Sequence, residues 1–75
     1  MPTLHRESNW KVAVYANEHG VPHFHVESPE GRCSVSVEAM KVMAGEVPPR
    51  ILRAAISWAS EHKAELHDKW LELNP

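Results

Sequence analysis

Three stretches of this chain alternate apolar and polar residues, and this alternation constrains the fold more than any other feature. They cover residues 10–16, 23–27 and 32–38 and are separated by turn-forming residues. Period-two alternation with β-branched and aromatic residues is typical of strands that bury one face and expose the other. The pattern predicts a sheet with one dry face, formed by Trp10, Val12, Val14, Phe24, Val26, Cys33, Val35 and Val37.

The connection between the second and third stretches predicts how they pair. Residues 28–31, Ser-Pro-Glu-Gly, are those preferred in a tight turn. Antiparallel pairing across this turn sets Glu27 opposite Arg32. The same register places His25 opposite Ser34. A shift by one residue would set histidines opposite valines and mix the two faces, so we expect the unshifted register.

From Pro49 onward the apolar spacing becomes helical, and proline is well tolerated in a first helical turn. The spacing predicts a helix over residues 49–73. Its apolar face would be formed by Leu52, Ala55, Ile56, Ala59, Leu66, Trp70 and Leu73. Two further short strands are predicted at residues 3–7 and 40–43. Together the elements predict a single α+β domain over residues 1–75, with an antiparallel sheet of three to five strands and a long C-terminal helix packed on one face.

The predicted helix is longer than the sheet that it would cover. A helix over residues 49–73 is about 37 Å long, whereas strands of five to seven residues span roughly 17–23 Å. The overhanging end would expose Leu66, Trp70 and Leu73 to water. Either the helix breaks near residues 60–63 and folds back, or a second chain covers its end. We expect the second arrangement, as a two-fold homodimer.

The charge balance argues against tight binding of nucleic acid. Eight Lys and Arg residues against ten Asp and Glu residues give a net charge of −2 with neutral histidines. Affinity for a nucleic-acid backbone depends on clustered positive charge, so binding of RNA or DNA would be confined to a small local site.

Cysteine usage and hydropathy exclude other classes. The single cysteine, Cys33, leaves no intrachain disulfide and no cysteine-rich zinc module. No apolar run reaches the roughly 18 residues of a membrane-spanning helix, and the first eight residues do not have the pattern of a signal peptide. A cytoplasmic protein without membrane contact is therefore expected.

The polar face of the predicted sheet gathers reactive side chains. They are Lys11, Tyr15, His23, His25, Glu27, Arg32, Ser34, Ser36 and Glu38. Two histidines at positions i and i+2 of a strand point to the same side with Cα atoms about 6.5–7 Å apart. His23 and His25 would thus reach one ion. His19 on the preceding loop, or Glu27, would be a third ligand of a divalent metal site, for which zinc, nickel or manganese is the expected ion.

Two other interpretations of this face stay open. In one, the face carries metal-free acid–base chemistry on RNA or a small ligand. The candidate catalytic residues are then His23, His25, Tyr15 and Arg32. The candidate binding residues are His19, Lys11, Glu27, Ser34 and Ser36. In the other, histidine and serine are tolerated on a solvated sheet surface and form no site, so the residues alone do not decide whether the chain is an enzyme.

Several phrases of the chain resemble a family of short bacterial proteins, catalogued as domain of unknown function 4160. The resemblance lies in the start MPT, the phrase YANEHGVPHFHVE at residues 15–27, and the later spacing of Trp58, His62, Leu66 and Trp70. The most specific part is the Pro-His-x-His-Val phrase at residues 22–26, and the family motif carries over at His19, Pro22, His23, His25 and Val26. The family usually has a second proline where this chain has Val21.

The resemblance implies a small α+β domain and a role in a two-gene, toxin–antitoxin-like module. It implies no catalytic residue. We expect the protein to act through a partner, either a second copy or a small protein from the adjacent gene, with a local histidine site for RNA or a small ligand. The alternative is a metal-binding protein or metal-dependent enzyme centred on His23 and His25.

Overall fold

The structure, a computed structural model, describes residues 3–75 as one antiparallel sheet and two helices. The strands are β1 (Thr3–Arg6), β2 (Lys11–Ala13), β3 (His23–Ser28), β4 (Gly31–Ser36) and β5 (Val42–Glu46). The helices are α1 (Pro49–Glu61) and α2 (Lys63–Leu73). The strands lie side by side in chain order. The predicted α+β class with an antiparallel sheet is confirmed, and the sheet has five strands, the upper end of the predicted three to five.

The central strands pair in the register that the patterning predicts. Glu27 lies opposite Arg32, and His25 lies opposite Ser34. The turn between β3 and β4 is closed by the Ser28 hydroxyl, which donates to the carbonyl of the first residue of β4 at 3.0 Å. The two histidines of β3 therefore share one side of the sheet with alternate residues of β4.

The apolar residues of the sheet and of both helices form one buried cluster. Its members are Val12, Val14, Phe24, Val26, Cys33, Val35, Val37, Ile51, Ala55, Ala59, Leu66 and Trp70. All the residues predicted for the dry face belong to it except Trp10, which packs against it half-buried. Full burial of a side chain such as Phe24 contributes roughly 1.5–3 kcal/mol to the free energy of folding. Burial also raises the pKa of the Cys33 thiol.

The prediction of one helix over residues 49–73 is wrong at one point. His62 interrupts it with φ −124° and ψ 27° and separates α1 from α2. Its Nδ1 donates to the Trp58 carbonyl at 2.8 Å, which satisfies one of the carbonyls left free at a helix end. Lys63 then donates from Nζ to the Glu38 carbonyl at 3.0 Å and ties the start of α2 to the end of the sheet.

The break buries the side chains that a continuous helix would have exposed. Leu66 and Trp70 are 0% and 5% exposed within a single chain, and Leu73 packs against the same cluster. Of the two alternatives that follow from the helix length, the structure has the one in which the helix breaks. An uncovered helix end is thus no longer a reason to expect a homodimer.

Some strand boundaries differ from the predicted ones because the chain turns without typical turn residues. Residues 36–41 form a turn in which Met40 has a φ of 56°, and its N–H bonds the Ser36 carbonyl at 2.8 Å. β4 therefore ends before residue 38, and β5 starts at residue 42 rather than 40.

Neither helix in the described part of the chain has the length and apolar character needed to cross a bilayer.

Candidate metal centre

Two histidines and a glutamate converge where β3 begins. His23 and His25 belong to β3, whereas Glu18 lies on the loop between β2 and β3. Nε2 of His23 lies 3.2 Å from Oε1 of Glu18, and Nε2 of His25 contacts the same oxygen. One ligand atom of each residue lies within 4.8 Å of the other two. Within residues 3–75, this is the one group of three or more His, Cys, Asp or Glu residues arranged to hold a metal ion.

The C-terminal end of α2 positions the loop that carries Glu18. Asn74 follows this helix, and its side-chain oxygen accepts the Glu18 backbone N–H at 2.8 Å. Its amide nitrogen donates to the Tyr15 carbonyl at 3.0 Å and to the Trp70 carbonyl at 3.2 Å. Asn17, with a φ of 62°, turns the chain between these two anchored points. The position of the Glu18 carboxylate therefore depends on the docking of α2.

A hydrogen bond determines which ring nitrogen of His23 is available. Nδ1 lies 2.9 Å from the Val21 carbonyl oxygen. Because a carbonyl only accepts hydrogen bonds, Nδ1 carries the hydrogen, and Nε2 of the neutral ring has the free lone pair. Metal-binding histidines are commonly held in this way, with one N–H on a carbonyl and the other nitrogen on the ion. The Trp70 ring, with its centroid 4.6 Å from that of His23, fixes the imidazole from the side.

The contact between His23 and Glu18 requires a proton or a metal ion between the two atoms. A neutral imidazole nitrogen and a carboxylate oxygen both present lone pairs, so they repel each other at 3.2 Å unless a proton or a metal ion lies between them. The hydrogen bond from His25 lowers the pKa of Glu18 below its usual value, and burial opposes this only in part. The cluster therefore holds an ionised carboxylate between two imidazoles, which is a donor set for a cation.

The cluster opens onto a depression of about 480 Å³ on the polar side of the sheet. Five of the predicted site residues line it: Tyr15, His25, Glu27, Arg32 and Ser34. The Tyr15 hydroxyl donates to Oε2 of Glu27 at 2.8 Å. Burial, followed by this hydrogen bond, raises the pKa of Tyr15, so its hydroxyl stays protonated at neutral pH. The pocket thus combines a phenol, a guanidinium and a hydroxyl beside the candidate metal ligands.

Other predicted residues lie near the depression but do not line it. His23 is buried behind His25, with ring centroids 5.2 Å apart. Lys11 forms an ion pair with Glu27, which lines the depression; Nζ of Lys11 lies 3.5 Å from Oε1 of Glu27. The Ser36 hydroxyl accepts the N–H of residue 39 at 3.2 Å and so stabilises the turn after β4.

The third ligand is where the structure departs from the metal site drawn from the sequence. His19 is exposed on the loop and is not a member of the converging group. The carboxylate of Glu27, the other expected third ligand, instead accepts a hydrogen bond from Tyr15 and forms an ion pair with Lys11. Glu18 takes the place that the sequence pattern assigns to one of these two. The metal-binding role of all these residues remains a prediction.

Sequence reasoning does not find Glu18 or Asn74. Glu18 lies in the same polar phrase as the histidines, which is a signal, but period two gives no side-chain direction on a loop. Asn74 lies 56 residues from Glu18 along the chain. Their contact is a tertiary one, between the loop before β3 and the end of α2, and no local pattern predicts it.

A family comparison places the three converging residues within a domain family. The model of a domain of unknown function, DUF4160, matches residues 9–71, which include all three converging residues. No curated protein and no solved structure matches the chain. The match confirms the resemblance carried by residues 15–27, and the chain belongs to the DUF4160 family.

Proposed function

We propose that this protein binds one divalent transition-metal ion through Glu18, His23 and His25 and uses the open side of that ion for chemistry on a small ligand. Imidazole donors favour zinc and nickel, and the carboxylate also suits manganese. Three protein ligands with an open position are typical of catalytic zinc sites, whereas structural sites are closed by four. A bound metal would supply Lewis acidity and lower the pKa of a bound water.

The observation that supports this proposal is the convergence of three potential ligand atoms, one from each residue, within 4.8 Å of one another. Nε2 of His23 lies 3.2 Å from Oε1 of Glu18. Two ligands bonded at roughly 2.1 Å in a tetrahedral zinc site are about 3.4 Å apart. The Val21 carbonyl bound at Nδ1 leaves Nε2 of His23 facing the carboxylate. A proton shared between His23 and Glu18 would satisfy the same contacts, and the cluster would then be a structural clamp without metal.

A metal assay separates these two alternatives. We expect the purified protein, incubated with excess zinc and dialysed, to retain one zinc per chain by elemental analysis. At free zinc of about 100 times the Kd, the folded state gains about 2.7 kcal/mol, because zinc binds it in preference to the unfolded chain. The melting temperature should therefore rise with zinc and fall again on chelation. No retained metal and unchanged melting would leave only the proton-bridged clamp.

The free edge of β5 favours association with another protein as a second candidate function. All five residues of this edge strand are exposed, with Val42 and Met43 41% and 48% exposed. An exposed apolar edge is a template for pairing with another strand. We propose a second copy as the partner, because a two-fold axis pairs β5 antiparallel with itself. Lys41 and Glu46 leave the segment without net charge, so identical strands do not repel.

Light scattering tests this association. We expect the mass of a dimer at high micromolar concentration and of a monomer for the Met43→Lys variant, because lysine charges of both copies would meet in the new sheet. Leu71→Lys changes a residue that is 51% exposed on α2 and should leave the mass unchanged. A wild-type protein that is monomeric at every concentration would contradict the proposal.

A role in a toxin–antitoxin-like module remains a prediction, carried by the resemblance alone. Membership in a family of unknown function assigns neither an activity nor a partner. The net charge of −2 agrees better with a protein partner than with a nucleic acid.

A further inference from the structure

We propose that the metal-loaded pocket binds a small molecule by an oxyanion group, a phosphate or a carboxylate, held between the metal and the guanidinium of Arg32. The inference rests on the proposed metal site. It adds the chemical class of the ligand that occupies the open side of the ion.

Arg32 is an unpaired cation on the pocket wall. It lines the depression together with His25 and Glu18. Among residues 3–75, no carboxylate lies within ion-pair distance of its guanidinium. Arginine binds phosphate and carboxylate through paired N–H donors, so a free guanidinium beside a pocket is a receptor for such groups.

The sheet register brings Arg32 within reach of the metal position. Arg32 lies opposite Glu27 and His25 opposite Ser34, so Arg32 and His25 are diagonal neighbours on one face of the sheet. Cα atoms of diagonal neighbours are about 7–8 Å apart. An arginine side chain spans most of this separation, so its guanidinium and a metal on Nε2 of His25 contact the same small oxyanion. Ser34 lies opposite His25 in the register and lines the same pocket, so its hydroxyl is available as a further donor.

Glu27 does not compete for Arg32, because its carboxylate is already engaged. Oε2 accepts the Tyr15 hydroxyl at 2.8 Å, and Oε1 lies 3.5 Å from Nζ of Lys11. Lys11 and Glu27 together carry no net charge. Glu46 lies opposite Arg32 on β5, and it too forms no ion pair with the guanidinium. The guanidinium of Arg32 is therefore available to a ligand from solution.

The metal changes how strongly the pocket attracts an anion. Without it, a proton shared between His23 and Glu18 offsets the −1 charge of Glu18, and Arg32 brings the sum over these groups to +1. A divalent ion in place of this proton raises the sum to +2, because −1, +2 and +1 are then combined. The added charge and the open side of the ion both favour an oxyanion. Phosphate or acetate is therefore expected to bind at least about tenfold more tightly to the metal-loaded protein.

Calorimetric titration with inorganic phosphate and with acetate tests the inference, with zinc per chain measured on every sample. Zinc-loaded wild type should bind at least one of the two anions, and metal-free protein should bind it at least about tenfold more weakly. The Arg32→Gln variant should keep its zinc and bind the anion about tenfold more weakly, the effect of losing roughly 1.4 kcal/mol of charge-assisted hydrogen bonding. Arg53→Gln, which removes an exposed arginine of α1, should bind like wild type.

The outcomes separate this inference from the metal site. Suppose that the wild type holds one zinc per chain. The oxyanion inference is then overturned if zinc-loaded and metal-free protein bind the anion equally well, or if Arg32→Gln and Arg53→Gln bind it equally well. In either case the metal site itself stands. No zinc on the wild type overturns both. Binding of phosphate alone assigns a phosphate group to the ligand, and binding of acetate alone assigns a carboxylate.

Discussion

Replacing His25 by glutamine is expected to weaken zinc binding by at least about a hundredfold, since even partners outside the ligand shell contribute roughly 10- to 100-fold to metal affinity. Glu18→Gln should have a comparable effect, because the amide keeps the shape of the side chain and loses its charge. Competition with a chromophoric chelator at neutral pH measures both affinities. Circular dichroism shows whether each variant is folded.

His19→Gln is the matched control for this experiment. It removes an imidazole from the same loop but from outside the converging group. Glu38→Gln is the corresponding control for the carboxylate, since Glu38 is exposed beyond β4 and uses only its backbone carbonyl to bind Lys63. Equal losses of affinity in His19→Gln and His25→Gln would contradict the cluster seen in the structure. They would favour the ligand set drawn from the sequence instead.

The alternation of side chains between the two faces of a strand predicts the histidine pair but not its third partner. In β3, alternation alone places His23 and His25 on one side, and the structure shows them side by side. The loop before β3 has no such period, because Asn17 and Gly20, with φ of 62° and 90°, turn the chain twice within four residues. Neighbouring side chains there point in unrelated directions. Glu18 therefore reaches the site although no local pattern selects it.

In the fold, too, local patterning predicts the pairing of the strands but not the contacts between distant parts of the chain. The β3–β4 register follows from patterning because a slip by one residue would expose the core. The break at His62 does not follow from patterning, since the apolar spacing continues through it. It depends on a tertiary contact, the bond from Lys63 to the Glu38 carbonyl, and on the imidazole that caps α1. Such contacts are absent from any local sequence window.

Leu66→Ala should lower the free energy of unfolding by about 2–5 kcal/mol, the range for truncation of a large aliphatic side chain in a core. Leu66 is fully buried in the cluster shared by the sheet and both helices. Leu71→Ala is the matched control on the same helix, because Leu71 is 51% exposed and its truncation should change the free energy by under about 0.5 kcal/mol. Urea unfolding followed by circular dichroism measures both differences.

The difference in free energy of unfolding between wild type and Leu66→Ala, measured at several protein concentrations, tests the break in the helix. If Leu66 is buried within one chain, the difference between wild type and Leu66→Ala is the same in dilute and concentrated protein. If a second chain covered an overhanging helix end, dilution would uncover Leu66 in the wild type, and the difference would shrink. Dimerisation through β5 would shift both proteins equally and leave the difference unchanged. A difference that falls on dilution would therefore contradict the break at His62 and restore the continuous helix with a partner over its end.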